Sequence, residues 1–515
     1  MEIGLELINF IFYDTILNYC YVISIGMKII QHIQHVPYQD AFALHKAYAQ
    51  HGEHPALVME SRSANRAYDT VNLVAPTQAL KVYAKDDAFS IQAISDVGGA
   101  LLNLFKQEEF PFAKHIKRTS TSIDGIIKAH DTTNLTHTEL LNKPHSGHVI
   151  DTVLSRLGKH ISYPFAGLYG AFSYDFARQF VNLPRAFSSE TNDFTLFFPS
   201  NIFYLDSRRE AGEHMQLEVD GIRDDLQQGS RGTFVPNDAQ PFQDMSFEAY
   251  AEKVQYVVDA IKRGRLMQCV LSRDAAFPLR VHPLDSYEKL RNANPSPYSF
   301  FFDLGDELVY GASPETHIKV NDSSRDGKAI EIRPIAGTAR RTGDSVQDFH
   351  TRQELLSDPK EMAEHTMLVD LARNDLYQLV LPDSVSIPEF GIIEEYPNLY
   401  HIVTGVTGTL RDDISATTAL LATLPAGTLS GAPKREAMQM IDELEHSARD
   451  YYGGAVGYLT VGGNCNTGIT IRSVHVRDGF SHIRSGAGIV LQSHPDGEVA
   501  EIQTKAEKAK GVVMP

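Results

Sequence analysis

Cysteine and positive charge are both scarce in this chain. Its 515 residues include only three cysteines, Cys20, Cys269 and Cys465. Their odd number and wide spacing match neither a disulfide framework nor a zinc site, and they favour a reducing, cytoplasmic location. Lys and Arg number 47 against 65 Asp and Glu, which gives a formal charge of −18. That balance argues against a nucleic-acid partner, because such affinity comes largely from basic side chains that neutralise phosphates.

A long apolar segment of the kind that crosses a membrane is also missing. The first 26 residues are mostly apolar, but Glu2 and Glu6 stand where a secretory signal has basic residues, and Asp14 interrupts the run. We therefore predict no membrane association, and we interpret residues 1–26 as a dispensable N-terminal extension.

The length of the chain predicts two domains or one large composite body, because single cores rarely grow beyond about 250–300 residues. Residues 224–244 are rich in Gln, Gly, Asp and Pro and lack apolar periodicity, which is typical of a linker. We predict an N-terminal domain at residues 27–223 and a C-terminal domain at residues 245–515.

Consecutive strands with short turns dominate the predicted elements. Because they do not alternate regularly with helices, the predicted fold class is α/β of the α+β kind, with antiparallel β-sheets covered by helices. In the C-terminal part, strands are predicted at 268–271, 307–310, 329–333, 455–460, 468–476 and 481–486. Helices are predicted at 246–263, 359–380, 416–423, 433–443 and 498–510.

Two Glu-x-x-Glu pairs are candidates for a metal site. Asp358 can cap a helix on which Glu361 and Glu364 lie one turn apart on the same face. Glu498 and Glu501 repeat this spacing near the start of another predicted helix. Four carboxylates that converge from two helices would suit Mg²⁺, which prefers oxygen ligands.

Local roles for the same glutamates stay open. Glu361 could complete a capping box with Asp358, and Glu501 could form an ion pair with Lys505 on a solvated helix face. The spacing alone does not decide between these roles and metal binding.

Arg472 and a glycine-rich segment are candidate anion-binding groups. Arg472 lies in the predicted apolar strand 468–476, where an unpaired guanidinium would be costly to bury. It must either pair with a carboxylate of the protein or bind one of a ligand. Gly486, Ala487 and Gly488 would let backbone N–H groups approach an anion closely, although a tight turn is the simpler interpretation.

Two further segments are ambiguous. His401 lies in an apolar run where most histidines are hydrogen-bonded core residues, yet its ordinary pKa of about 6.5 would suit a general acid. The segment 427–434, Gly-Thr-Leu-Ser-Gly-Ala-Pro-Lys, lacks the spacing of a phosphate-binding loop. Pro433 also has no N–H to donate, so a loop that caps the next helix is as good an interpretation as a substrate contact.

Seven motifs follow one another in the C-terminal part. They are 294–298 (Asn-Pro-Ser-Pro-Tyr), 311–315 (Gly-Ala-Ser-Pro-Glu), 334–338 (Pro-Ile-Ala-Gly-Thr), 364–375 (Glu-His-Thr-Met-Leu-Val-Asp-Leu-Ala-Arg-Asn-Asp), 427–434, 452–458 (Tyr-Gly-Gly-Ala-Val-Gly-Tyr) and 486–490 (Gly-Ala-Gly-Ile-Val). Together they resemble the chorismate-binding enzymes, and most closely the anthranilate synthase component I group of that family. The resemblance implies a carbon–oxygen lyase that converts chorismate and ammonia to anthranilate and pyruvate in tryptophan biosynthesis.

The resemblance also implies roles for individual residues. The implied metal site has Glu364 and Glu501 as direct Mg²⁺ ligands, with Glu361 and Glu498 holding the ion through water. Contacts to chorismate are implied for Gly337, Thr338, Tyr452, Arg472, Gly486, Ala487 and Gly488. Catalytic roles are implied for His401, as a proton donor, and for Thr428.

Two positions distinguish the members of this family. Isochorismate and salicylate synthases carry a water-activating lysine at the position of Gln268, and aminodeoxychorismate synthase carries a ring-attacking lysine at the position of Ala336. Neither side chain here is an amine nucleophile, so the resemblance implies attack by external ammonia. Aminodeoxychorismate synthase component I and 2-amino-2-deoxyisochorismate synthase, which keeps the pyruvate, stay open as alternatives. A non-catalytic sensor is disfavoured because all four glutamates are present.

A partner and a regulator are implied as well. No Gly-x-Cys-x-Gly motif of a glutamine amidotransferase occurs, so the resemblance implies a separate glutaminase subunit, component II, in a hetero-oligomer. The N-terminal domain is the implied regulatory and subunit-contact part, and its stretch 57–61 (Leu-Val-Met-Glu-Ser) is similar to the family's tryptophan-sensing element. This implies feedback inhibition by tryptophan through Ser61, Pro297, Tyr298 and Ser299. Ser299 replaces the family's usual methionine, so we expect altered sensitivity.

Overall fold

The computed structural model describes residues 18–24, 27–62, 71–129, 137–181, 183–323, 327–396 and 399–515. Of the predicted N-terminal extension, residues 1–17 and 25–26 lie outside the described residues, whereas Asn18–Ser24 forms a strand. Within the described ranges, no helix is both long enough and apolar enough to span a bilayer.

Antiparallel strands form most of the described structure. The strands are β1 Asn18–Ser24, β2 Met27–Pro37, β3 Leu57–Glu60, β4 Val71–Lys85, β5 Ala88–Ala93, β6 Ala113–Arg118, β7 Ser122–Ile127, β8 Gly167–Phe172, β9 Phe194–Asp206, β10 Ala211–Val219, β11 Ile222–Arg223, β12 Phe242–Gln243, β13 Gln268–Pro278, β14 Tyr298–Asp303, β15 Leu308–Ser313, β16 Thr316–Asp322, β17 Lys328–Ile332, β18 Ile335–Arg340, β19 Ser386–Glu395, β20 Leu399–Leu410, β21 Gly431–Ala432, β22 Ala455–Thr460, β23 Cys465–Ile469, β24 Ser473–Arg477 and β25 Phe480–Ile489. Pairings such as β4 with β9 and β13 with β25 are antiparallel along their whole length. The predicted antiparallel sheets are therefore confirmed.

Helices pack against these sheets, as predicted. They are α1 Ala41–Tyr48, α2 Asp96–Leu102, α3 His137–Asn142, α4 Gly147–Leu157, α5 Arg178–Val181, α6 Phe247–Lys262, α7 Pro283–Ala293, α8 Ser345–Ser357, α9 Pro359–Tyr377, α10 Ala416–Thr423, α11 Lys434–Leu444 and α12 Pro495–Val513. Helix α10 matches the predicted range 416–423, and α6, α9, α11 and α12 lie where helices are predicted, with ends shifted by a few residues.

Strand pairings connect the N-terminal and C-terminal parts of the chain. Strand β3 pairs with β14, and β8 pairs with β22. The largest hydrophobic core likewise contains Phe194 from the N-terminal part and Val456 from the C-terminal part. This shared core joins the two parts of the chain on which the cavities described below lie.

The predicted strand 468–476 is wrong in one respect. Strand β23 ends at Ile469 and β24 begins at Ser473, and between them Arg472 has a φ angle of 53°. A left-handed backbone cannot continue a strand. The chain therefore turns at Arg472, which removes its side chain from the alternating pattern of the sheet.

Candidate active site

Helix α9 presents the first pair of glutamates because Asp358 fixes its start. The Asp358 Oδ1 atom accepts hydrogen bonds from the backbone N–H groups of Lys360 at 2.8 Å and Glu361 at 3.4 Å. Pro359 occupies the first helical position, where no N–H is needed. The predicted capping role of Asp358 is confirmed, and Glu361 and Glu364 lie one turn apart.

The carboxylates of α9 and α12 repel one another. Burial raises the pKa of Glu364, and the nearby Glu361 and Glu501 raise it further. Burial and the charge of Glu501 also raise the pKa of Glu498. The Glu498 Oε2 atom is buried and has no hydrogen-bond partner in the described part of the chain. These oxygens form a negative site that Lys360 and Lys505 offset only in part, which is the chemistry that a hard divalent cation satisfies.

The carboxylates nevertheless stand apart from one another. Among the described residues, no three His, Cys, Asp or Glu side chains lie close enough to hold a metal ion. Glu501 instead forms an ion pair of 2.5 Å with Lys505, one of the local roles left open by the sequence. Lys505 Nζ also donates a hydrogen bond of 3.0 Å to the Gly486 carbonyl. The carboxylate oxygens are ligands of the type that Mg²⁺ prefers. Glu501 would contact both the metal and Lys505.

The Arg472 guanidinium forms neither an ion pair nor a side-chain hydrogen bond with the described residues, although Glu501 attracts it. The alternative of a structural carboxylate partner is therefore not seen in this part of the chain. Burial lowers the pKa of Arg472, and it outweighs the opposite effect of Tyr452 and Glu501. A largely buried, unpaired guanidinium beside a tyrosine is a ready partner for a ligand carboxylate.

The glycine-rich segment lies in β25, where close packing excludes larger residues. Gly486 pairs with Ser272 and Gly488 pairs with Val270 across the β13–β25 ladder. A Cβ atom on Gly486 would lie 2.8 Å from the Tyr452 hydroxyl, and one on Gly488 would lie 2.8 Å from the Gln268 amide nitrogen. The segment is thus a strand and not a turn. Because Gly486 and Gly488 have no side chains, they leave room for the Tyr452 hydroxyl and the Gln268 amide beside the strand.

His401 is next to the Pro-Ile-Ala-Gly-Thr motif. Its Nδ1 lies 3.0 Å from the Thr338 hydroxyl and 3.2 Å from the Gly337 carbonyl oxygen. Burial lowers the pKa of His401, the Gly337 carbonyl partly offsets this, and Arg472 lowers it further. Gly337 has a φ of 68°, and a Cβ there would lie 3.1 Å from Glu361 Oε2. The motif therefore lies between His401 and Glu361 of α9, close to both side chains.

Sequence reasoning missed one functional group, the carboxyl of Glu315. Together with Thr428 and Asp375 it lines a cavity with an empty volume of about 370 Å³. Burial raises the pKa of Glu315 to about 7, although the nearby Thr428 hydroxyl and the charge of Lys505 act in the opposite direction. Glu315 ends one of the quoted motifs, but the burial that makes it a candidate for proton exchange could not be predicted from the sequence.

A second cavity, with an empty volume of about 480 Å³, contains three of the four predicted tryptophan contacts. Ser61, Pro297 and Tyr298 line it, together with Glu60 and Arg333. Ser299 is not among the lining residues, although its side chain is fully buried. In the described structure, the hydroxyls of Ser61 and Ser299 have no hydrogen-bond partner.

Residues 103–511 match the family model of the chorismate binding enzymes. The chain belongs to this family. It is 46% identical over 258 residues to anthranilate synthase component 1 of Pseudomonas aeruginosa, a match that covers 50% of this chain and spans about half, 51%, of that relative. It is 34% identical over 497 residues to the Escherichia coli protein of the same name, covering 88% of this chain and 91% of that one.

A solved member of the family has the same fold. The crystal structure of anthranilate synthase component I from Streptococcus pneumoniae superposes with a TM-score of 0.64 at 25% identity, covering 88% of this chain and 93% of that chain. The quoted chorismate-binding motifs all lie within the matched residues 103–511.

Proposed function

We propose that this chorismate-binding enzyme is the large subunit of an anthranilate synthase, which forms anthranilate and pyruvate from chorismate and ammonia. The observation that carries the proposal is the unpaired Arg472 guanidinium, which lies near Tyr452 and Glu501 of α12, while Glu501 in turn lies near Glu361 and Glu364 of α9. The Arg472 guanidinium can bind one carboxylate of chorismate. A cation held by the glutamates can bind the other.

Glu364 and Glu501 would hold Mg²⁺ directly, and Glu361 and Glu498 would hold it through water. When bound, the ion supplies a Lewis acid for the ring carboxylate of chorismate. Lys505 contacts the Oε1 atom of Glu501, so Glu501 would bind the ion through its other oxygen.

The remaining groups of the chain would bind the substrate and move protons. Arg472 and the backbone of Gly486, Ala487 and Gly488 would bind the enolpyruvyl carboxylate. His401 would protonate the departing C4 hydroxyl. Burial and, to a smaller extent, Arg472 lower its pKa, and the charge of a dianionic substrate would oppose this depression. Glu315, whose pKa is about 7, can exchange a proton at neutral pH beside Thr428.

Gln268 and Ala336 support ammonia as the nucleophile. Both side chains are buried at the positions where other family members carry a reactive lysine. The Gln268 Oε1 atom has no hydrogen-bond partner in the described part of the chain. It is an acceptor that ammonia could satisfy, but it is not a base strong enough to activate water.

An end-product assay tests the activity. The chain is incubated with chorismate, Mg²⁺ and ammonium, and anthranilate fluorescence and pyruvate are measured together. Equal amounts of both are expected, and Glu364→Gln serves as an inactive control. An aminated ring without pyruvate would instead indicate 2-amino-2-deoxyisochorismate synthase, and 4-amino-4-deoxychorismate would indicate the aminodeoxychorismate enzyme.

We further propose a cytoplasmic hetero-oligomer with a glutamine amidotransferase, component II. In this arrangement residues 27–223 are the regulatory and subunit-contact domain, residues 224–244 a linker and residues 245–515 the catalytic domain. Glutamine should support anthranilate formation only after the partner is added, whereas ammonium should support it without the partner. Full glutamine-dependent activity from this chain alone would contradict the proposal.

Tryptophan is the proposed feedback inhibitor, bound in the cavity of Ser61, Pro297 and Tyr298. Because the chain contains no tryptophan, the ligand's own indole fluorescence reports binding without a background. Binding and inhibition should saturate at the same tryptophan concentration. Inhibition without binding to this cavity, shown by an unchanged response in Tyr298→Ala, would refute the site.

A further inference from the structure

A buried ion pair next to the candidate site has no role in the proposed chemistry. Glu445 follows the last residue of α11, and Arg449 lies four residues further on. The Arg449 Nε atom donates to Glu445 Oε2 at 3.0 Å, and Nη2 donates to Glu445 Oε1 at 2.5 Å. Both side chains are buried. Burial opposes ionisation of Glu445, but Arg449 and Arg484 outweigh it and lower the pKa of the carboxyl.

The guanidinium of Arg449 also holds two separate backbone segments. Its Nη1 donates to the Leu429 carbonyl at 2.6 Å, and Nη2 donates to the Val270 carbonyl at 2.6 Å. Leu429 closes the short 3₁₀ turn Gly427–Leu429, which contains Thr428. The Arg449 carbonyl accepts the backbone N–H of Tyr452 at 2.9 Å, and the guanidinium lies 5.8 Å from the centre of the Tyr452 ring.

Glu445 extends the same network to the glycine strand. Its Oε1 accepts hydrogen bonds of 2.8 Å from both the backbone N–H and the hydroxyl of Ser272. Its Oε2 accepts a bond of 3.2 Å from Arg484 in β25. Ser272 is the ladder partner of Gly486. One ion pair thus contacts every segment that supplies Thr428, Tyr452 and the 486–488 backbone.

We propose that Arg449 is a positioning residue for chorismate turnover, a role that rests on the proposed function. A buried ion pair contributes little net stability, because desolvation of both charges offsets their attraction. Stability alone therefore does not explain the Glu445–Arg449 pair. The planar guanidinium fork can meet a carboxylate and two carbonyls at fixed angles, which an ammonium group cannot do. Arg449 acts through the turn that carries Thr428 and through Tyr452, without itself touching the substrate.

Two variants separate positioning from stability. Glu445→Leu combined with Arg449→Met removes both charges together, and the buried Arg484, which also contacts Glu445, keeps its ion pair with Asp244. Arg449→Lys keeps the charge and loses the fork. Arg178→Met is the matched control, because Arg178 is also buried and paired with Asp175 and Asp442, yet it bonds to none of the proposed substrate-binding segments.

The measurements are the thermal midpoint, amide hydrogen exchange over residues 426–431, and kcat and KM with ammonium. Both Arg449 variants should remain folded, exchange faster over 426–431 and show a kcat about 10- to 100-fold lower, the size expected for a misplacement of about 1 Å. Arg178→Met should lose stability without faster exchange in this segment and without that loss of kcat.

The outcomes separate this inference from the activity. A folded Arg449→Lys variant with wild-type exchange over 426–431 overturns the positioning role, whatever reaction the enzyme catalyses. Wild-type kcat in the double variant overturns it too. If the wild-type chain makes no anthranilate, the proposed function fails, while the exchange measurement still tests the placement of the turn.

Discussion

The candidate site depends on single residues whose environment differs from that of an ordinary side chain. Glu364 and Glu498 have raised pKa values because burial and neighbouring carboxylates disfavour their charged forms. Arg472 is the complementary case, a buried cation that forms no ion pair with the described residues. Their residue types and order in the chain could be predicted from the sequence. Their electrostatic state could not, because it depends on tertiary burial.

Glu364→Gln should stabilise the metal-free protein at neutral pH. A raised pKa means that the folded chain disfavours the ionised carboxylate, so ionised Glu364 lowers stability above that pKa. The penalty disappears as the pH falls through the raised pKa. Thermal unfolding of wild type and variant without metal, at pH 7.5 and at pH 4.5, measures the difference.

With magnesium, the wild type should become more stable than Glu364→Gln. At about 100 times its Kd, a ligand that binds only the folded state adds about 2.7 kcal/mol to the free energy of unfolding. Wild type should gain this stabilisation, and Glu364→Gln should gain much less. An equal gain in both proteins would remove Glu364 from the metal site.

Gln268→Lys should impair the ammonia reaction. It replaces a buried neutral acceptor beside Gly488 by an amine, which would occupy the space proposed for ammonia. Anthranilate formation should fall about tenfold or more, since a positioned acceptor is lost. Product chromatography with chorismate, Mg²⁺ and ammonium measures the change, and Gln268→Glu is the control of similar size.

At the scale of elements, helices with clear boundaries could be predicted and interrupted strands could not. The range 416–423 is predicted and observed as α10, which Ser415 caps through its side chain. The interruption between β23 and β24 was missed, because an apolar run does not reveal that Arg472 adopts a φ of 53°. Helix α8 was missed as well, since its exposed Val346 and Phe349 blur the expected amphipathic pattern.

Asp358→Ala tests how the start of α9 supports the glutamates. Loss of an N-cap side chain costs about 1 kcal/mol of stability. Because the cap holds the N–H of Glu361 itself, the affinity for Mg²⁺ should fall several-fold at the same time. Asp358→Ser should retain both properties, and a calorimetric titration with Mg²⁺ distinguishes the three proteins. Equal metal affinity in Asp358→Ala and wild type would show that the cap serves stability alone.

At the scale of the whole molecule, the two predicted domains share strands and a core. Backbone packing at the junction is tight, because a Cβ atom on Gly167 of β8 would lie 2.3 Å from the Leu459 carbonyl oxygen of β22. We expect Gly167→Ala to lower the stability of both parts together. Tyrosine fluorescence and far-ultraviolet circular dichroism should then follow a single unfolding transition in denaturant. Two separate transitions would show that the parts unfold independently.

The pairing of β3 with β14 and of β8 with β22 has a consequence for making this protein in pieces. A polypeptide cut within residues 224–244 would leave the C-terminal fragment with two bare strand edges, which are templates for aggregation. Produced together, the two fragments could cover each other's edges and restore activity without a peptide bond between them. The peptide bonds within residues 224–244 would then be dispensable, and the two strand pairings would hold the parts together.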